Sequence, residues 1–165
     1  VTKEEFLTTS PEETEGLGRC LGALLERGAF LALRGELGGG KTCFTRGVVQ
    51  AVAPESAHLV ASPTFAIMNH YPGRLPVYHF DFYRMRGEDD IADLGFMEYL
   101  HGEGVCIVEW SERLEALLPV DHLMITFHYE GDERRRITIE AVGAGPEILL
   151  SCLLKRIRSD KISLT

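Results

Sequence analysis

Gly35-Glu36-Leu37-Gly38-Gly39-Gly40-Lys41-Thr42 is the stretch on which the fold turns. It satisfies the phosphate-loop pattern G-x-x-x-x-G-K-[ST] at every position. Each residue type has a task there. The glycines let the backbone curl until several N–H groups point at one anion. Lys41 would bring a mobile positive charge to the outer phosphates, and Thr42 a hydroxyl to a Mg²⁺ bound to them. The helix that should follow adds the positive end of its dipole. The flanks agree with this reading. Ala29-Phe30-Leu31-Ala32-Leu33 is an apolar run of strand length, and Phe44, Val48, Val49 and Val52 recur at helical spacing after the loop. A plain Gly-rich turn between strand and helix is the weaker reading.

Outward from the loop, the pattern alternates strands and helices. Phe6-Leu7-Thr8 reads as a short first strand. Ser10-Pro11-Glu12-Glu13 predicts a helix start, with a Ser cap, Pro at the first helical position and Glu three residues after the cap. Leu17, Cys20, Leu21, Leu24 and Leu25 give that helix one apolar face, with Gly28 as its end. Beyond Pro54, Ser62-Pro63-Thr64 opens a predicted strand over Phe65-Ala66-Ile67-Met68, which pairs across Pro72-Gly73 with a second strand over 76–83. An acidic loop, Gly87-Glu88-Asp89-Asp90, leads into a helical stretch carrying Ile91, Leu94, Met97 and Leu100. Val105-Cys106-Ile107-Val108 has the continuous apolar character of a strand buried on both faces. Leu123–Phe127 and Arg136–Glu140 form a hairpin turned at Glu130-Gly131-Asp132, and Ile148, Leu149, Cys152, Leu153 and Ile157 mark a last helix. The expected fold is α/β, a P-loop NTPase-like mixed sheet with a parallel centre and antiparallel strands, flanked by helices. One domain over 1–165 with a basic tail over 155–165 is expected.

Composition narrows the function. A net charge of −8 argues against a broad nucleic-acid surface, which needs clustered Lys and Arg. The local exceptions are Arg134-Arg135-Arg136 and the tail residues Lys155, Arg156, Arg158 and Lys161, whose plainer reading is a solvated face. No apolar run is long enough to span a membrane, and Val1-Thr2-Lys3-Glu4-Glu5 does not read as a secretory signal, so the cytoplasm is the expected compartment. Cys20, Cys43, Cys106 and Cys152 lie too far apart for a zinc or disulfide framework. Cys20, Cys106 and Cys152 read as small core residues. Cys43, at a predicted helix N-terminus, could be redox-active, but packing is the favoured role.

A phosphate loop needs a carboxylate partner at the end of another strand. Glu109 directly follows the buried run 105–108, where an acid faces the ligand crevice of an open α/β sheet. Asp81 shares one strand face with Val77, His79 and Tyr83, opposite Tyr78, Phe80 and Phe82. A salt-bridged strand end is the plain alternative for both acids. Trp110 either borders the nucleotide or caps the core. Thr64 is either a sensor of the outer phosphate or an ordinary turn residue. The histidines lack metal-ligand spacing, and His79 reads as buried and structural.

Four blocks together resemble the TsaE family, also called YjeE: Gly35–Thr42, Ser62-Pro63-Thr64-Phe65, Tyr78-His79-Phe80-Asp81-Phe82-Tyr83-Arg84 and Ile107-Val108-Glu109-Trp110. The resemblance implies a small ATPase of tRNA threonylcarbamoyladenosine synthesis that binds ATP or ADP with Mg²⁺ and hydrolyses ATP slowly. It implies partnership with the TsaB–TsaD pair, so that tRNA is served only indirectly. It also implies residue roles. Gly38, Gly39, Gly40, Lys41, Thr42 and Cys43 would hold the phosphates, Thr42 and Glu109 the Mg²⁺. Asp81, with Lys41 and Glu109, would serve hydrolysis. Thr64, Trp110 and one arginine, best matched by Arg135 among Arg134, Arg135 and Arg136, would approach the nucleotide, and Thr9 and Ser10 would border the adenine. Two positions depart from the family pattern, Cys43 for Thr and Gly39 for Ala; neither removes a backbone phosphate contact. The competing class is a small-molecule kinase, which would need an acceptor pocket and an Arg-bearing lid. No long lid insertion is visible, and the arginine cluster falls in a predicted hairpin. A nucleotide-dependent binding module differs from the ATPase only in rate.

Overall fold

The computed structural model describes residues 1–36, 40–61, 67–100 and 102–159. Seven strands build one sheet: β1 (Thr2–Thr8), β2 (Phe30–Gly35), β3 (Met68–Tyr71), β4 (Val77–Asp81), β5 (Val105–Glu109), β6 (His122–Tyr129) and β7 (Arg135–Val142). Their order is β1-β7-β6-β2-β5-β4-β3. β6, β2, β5 and β4 run parallel and form the centre. β7 and β1 extend one side antiparallel, and β3 closes the other as the antiparallel arm of the expected hairpin. The mixed sheet with a parallel centre is therefore as the sequence indicates.

Alternation along β2 explains the layering. Leu31 and Leu33 face one core, with Ile107, Ile125 and Ile137, while Phe30 and Ala32 face the other, with Val108 and Met124. The first core is roofed by α1 (Pro11–Gly22), α2 (Lys41–Val52) and α5 (Ala144–Ser159), through Leu17, Leu21, Phe44, Val48, Leu150 and Leu153. The second is covered by two short helices, α3 (Glu88–Asp93) and α4 (Met97–Leu100), through Ile91 and Leu100. Phe80, Phe82 and Phe96 pack there at ring separations of 5.1–5.5 Å.

Several local expectations are displaced. α1 stops at Gly22 rather than Gly28, because Leu24 and Leu25 donate their N–H groups to Leu21 and Gly22 in tighter i→i+3 turns that still carry Leu25 into the core. The hairpin strands are Met68–Tyr71 and Val77–Asp81, shorter or later than expected, and the predicted residues 62–66 lie outside the described ones. The acids at 88–90 are the first turn of α3 rather than a loop, where the helix dipole favours them. Gly95, at φ 76°, splits the stretch 91–100 into two helices, burying Phe96 and leaving Leu94 and Met97 exposed. Lys155, Arg156 and Arg158 lie on α5 itself, while Lys161 is outside the described residues. Among the described residues no helix is long and apolar enough to cross a membrane.

α1 and α2 approach unusually closely. A Cβ on Gly18 would overlap the Phe44 carbonyl, and one on Gly47 the Glu15 carbonyl. A polar rim closes the contact: Arg19 donates to Gln50 at 2.8 Å, and Gln50 donates to Glu15 at 2.6 Å. The glycines weaken each helix in isolation, yet they permit backbone-to-backbone packing.

The cysteines divide differently from expectation. Cys20 and Cys106 are buried, but Cys152 is exposed on α5, beside a cavity of about 560 Å³ whose lining includes Leu24, Phe30, Leu123 and Ile148. Its place among the apolar residues of the predicted last helix misleads because α5 buries only one narrow stripe. Burial pushes the Cys106 thiol up to about 12, and its Sγ donates to the Tyr99 carbonyl at 3.3 Å. In the folded protein at pH 8, maleimide is expected to label Cys152 first and to spare Cys106. Mass spectrometry of labelled peptides checks the order, and early modification of Cys106 would contradict it.

Candidate functional site

The parallel strands β2, β5 and β4 end side by side, and their C-terminal ends deliver the site. β2 runs out at Gly35, and α2 begins at Lys41. Gly40 between them adopts φ 103°, ψ 5°, and no side chain caps α2 there. The left-handed backbone favours glycine, and a Cβ would also press on the Thr14 methyl at 3.3 Å. The first N–H groups of α2, which no helical carbonyl can take, thus converge beside a lysine.

Lys41 is only 5% exposed. Its Nζ donates to the Gly35 carbonyl at 2.6 Å and lies 5.2 Å from the centre of the Trp110 ring. Thr42 and Cys43 share the first turn of α2 and are half-buried. Gly38, Gly39 and Thr64 lie outside the described residues.

The carboxylates meet this cradle from the neighbouring strands. Asp81 and Glu109 are register partners in the parallel β4–β5 ladder, so their side chains leave the same face of adjacent strands. Glu109 is buried, and its Oε2 lies 2.7 Å from Nε2 of the fully buried His79. Asp81 is half-buried and accepts the Tyr83 N–H at 2.9 Å, which fixes the turn after β4. It lies opposite the Phe80–Phe82 cluster rather than among those rings, because β4 alternates faces.

Trp110 lies between the second core and the lysine of the phosphate-loop motif. Its ring packs partly against the second core, with Tyr83 at 4.9 Å, and its other neighbour is the Lys41 ammonium. Its backbone is left-handed, φ 59° and ψ 43°, at a local cost of about 1–2 kcal/mol. Strain of this kind gathers at functional sites.

Two more walls approach Gly40. Ser10 caps α1, its Oγ accepting the Glu13 N–H at 3.1 Å, while the Glu13 carboxylate reaches back to the Thr9 N–H and hydroxyl. One turn on, Thr14 touches Gly40 and shares a buried 2.8 Å hydroxyl hydrogen bond with Thr8. From the other side comes Arg135, whose Cγ is 3.8 Å from the place of a Gly40 Cβ and whose guanidinium lies 4.5 Å from the Tyr129 ring centre. Arg136 turns away to Glu130 and Glu5, and Arg134 is exposed. Of the three arginines, the structure brings Arg135 to the loop. The sequence gives no role to Tyr83, Tyr129 or Thr14, and His79 reads there as buried and structural, which its full burial matches. Only the shared strand face of His79 and Asp81 signalled otherwise.

Among the described residues, no group of three or more His, Cys, Asp or Glu side chains could hold a metal unaided. What converges is one lysine, the open start of a helix and two carboxylates at adjacent strand ends. Such a site can grip a polyanion at one side and a cation carried by it at the other.

The model of the family described as "Threonylcarbamoyl adenosine biosynthesis protein TsaE" matches residues 8–137. The chain belongs to the TsaE family. Similar family members agree over most of their lengths. The TsaE protein of Bacillus subtilis is 44% identical over 160 residues, covering 96% of this chain and 97% of its own. That of Treponema pallidum is 37% identical over 133 residues, covering 81% and 97%. The crystal structure of Bacillus subtilis YdiB superposes with a TM-score of 0.77 at 38% identity, covering 94% of this chain and 97% of that one. The matched residues 8–137 run from the end of β1 through Ile137 in β7, so TsaE membership takes in Ser10, the loop, both carboxylates and Arg135.

Proposed function

We propose that this TsaE protein binds and slowly hydrolyses Mg²⁺-ATP and acts on the TsaB–TsaD pair in tRNA threonylcarbamoyladenosine synthesis. The observation that carries the reading is the meeting of Gly40 and Lys41 with Asp81 and Glu109 at the ends of three adjacent parallel strands. The names of the relatives support the pathway.

The residues present fit the group. The left-handed Gly40 and the uncapped start of α2 suit phosphate oxygens, and Lys41 is near enough to exchange the Gly35 carbonyl for them. Thr42 and Glu109 would hold Mg²⁺ against the nucleotide. When bound, Mg²⁺ neutralises charge on the phosphoryl oxygens. Asp81 would orient the attacking water and accept its proton, since its carboxylate stands beside Glu109 at the open strand end. Trp110 and Arg135 would flank the nucleotide, and Ser10 with Thr9 would border the base. Hydrolysis by the isolated chain is slow in this reading, with turnover serving the partner complex. A net charge of −8 favours action through protein partners over direct tRNA contact.

Affinity capture from a bacterial lysate, with ATP, ADP or no nucleotide, tests the proposal. The TsaB–TsaD pair is expected in the ATP eluate and depleted without nucleotide. Nucleotide-independent capture of other proteins, or phosphorylation of a metabolite by the purified chain, would overturn it.

A further inference from the structure

We propose that His79 is a positioning residue for Glu109: its imidazole holds one carboxylate oxygen so that the other is presented at the strand end. The inference rests on the Mg²⁺-nucleotide reading above and assigns a residue that the reading leaves idle.

Three observations carry it. His79 and Glu109 are both buried, and Nε2 to Oε2 is 2.7 Å. Among the described residues the imidazole is the one hydrogen-bond partner of the Glu109 side chain. A carboxylate only accepts, so Nε2 carries the hydrogen of this contact. Nδ1 is the second observation: it is buried and has no hydrogen-bond partner among the described residues. A histidine kept for packing would lose little by becoming leucine, and it would spare the fold an unsatisfied polar atom. Here that atom is tolerated on the same ring that grips Glu109.

The third observation is placement. His79 pairs with Ile107, two residues back from the Asp81–Glu109 pair and on the same face, so the imidazole approaches Glu109 diagonally from beneath. The Tyr71 ring, centred 6.2 Å away, walls its other side. A glutamate has three side-chain torsions, and a donor at Oε2 selects among their rotamers before any cation arrives. Oε1 is then left for the cation side of the site. Ligand carboxylates elsewhere depend on such outer partners for affinity.

The test uses the full chain and ADP. Calorimetric ADP titrations across a series of Mg²⁺ concentrations give the Mg²⁺ half-point for wild type, His79→Leu and His79→Gln, with thermal melts run beside them. His79→Leu, which removes the donor, is expected to raise the half-point by about 10-fold or more while metal-free ADP affinity holds. His79→Gln, which keeps a donor, is expected to recover most of the loss. A folded His79→Leu protein with the wild-type half-point overturns the proposal, as does an equal shift in both variants. Nitrogen NMR of wild-type His79 adds a reading that needs no variant: an Nδ1–H tautomer would overturn it too. If wild-type ADP binding ignores Mg²⁺, the site reading itself fails. If it depends on Mg²⁺ and His79→Leu leaves that dependence intact, only the role of His79 fails.

Discussion

Lys41→Ala is expected to weaken ATP binding by about 100-fold or more. A hydrogen bond to a charged partner contributes about 1.5–3 kcal/mol, and Lys41 would make more than one of them to the outer phosphates. Its 5% exposure leaves little water to replace the lost ammonium. Two contacts of the side chain vanish as well, the 2.6 Å bond to the Gly35 carbonyl and the approach to Trp110 at 5.2 Å. The intrinsic fluorescence of Trp110 should therefore shift in the variant before any nucleotide is added, and its response to ATP should disappear. Glu109→Ala makes the contrast. It is expected to keep metal-free nucleotide affinity and to lose Mg²⁺-dependent turnover. Wild-type ATP affinity in the Lys41 variant would end the phosphate-loop assignment.

Gly47→Ala is expected to destabilise the fold by about 3 kcal/mol, lowering Tm by about 6–12 °C. The sign is what makes this informative. Glycine to alanine inside a helix ordinarily stabilises by about 0.5–1 kcal/mol, because alanine has less freedom to lose. At Gly47 the added methyl meets the Glu15 carbonyl, which is backbone and cannot swing aside. The two helices must separate, and Thr14 withdraws from Gly40 as they do. Nucleotide affinity should fall along with Tm. Gly145→Ala on α5 is the control, since nothing lies within 4 Å of its Cβ position. It should leave Tm unchanged or raise it. Equal Tm in the two variants would show that α1 and α2 are not locked by their glycines.

The strand and helix that flank the phosphate-loop motif, the buried strand 105–108 and the C-terminal hairpin are all legible because each signal is local. Val105–Val108 needs only its own apolar run, and Glu109 needs only to follow it. What stays hidden is what depends on register. Nothing within residues 76–83 says that Asp81 pairs with Glu109 or that His79 lies beneath it, because the partner strand is 28 residues distant from Asp81 to Glu109. The arginine ambiguity has the same origin. Arg134, Arg135 and Arg136 are alike as letters, and only β7 pairing with β1 and β6 turns one of them toward Gly40. Period-3.6 reasoning also over-extends where a glycine intervenes: it carried α1 past Gly22 and ran one helix through Gly95. The glycines at 18 and 47 look like helix weaknesses until the second helix is placed against the first.

The pairing of β1 with β7 has a temporal side. Thr8 lies opposite Arg135, so the walls that carry Ser10 and Arg135 reach Gly40 only when two strands far apart in sequence meet. A ribosome delivers the loop, Asp81 and Glu109 long before it delivers β7. During synthesis the lysine and the acids can assemble on the parallel strands while the enclosure around them is still open. The enclosure thus closes only once β7 is in place, and long-range pairing of this kind sets a slow closing step in folding.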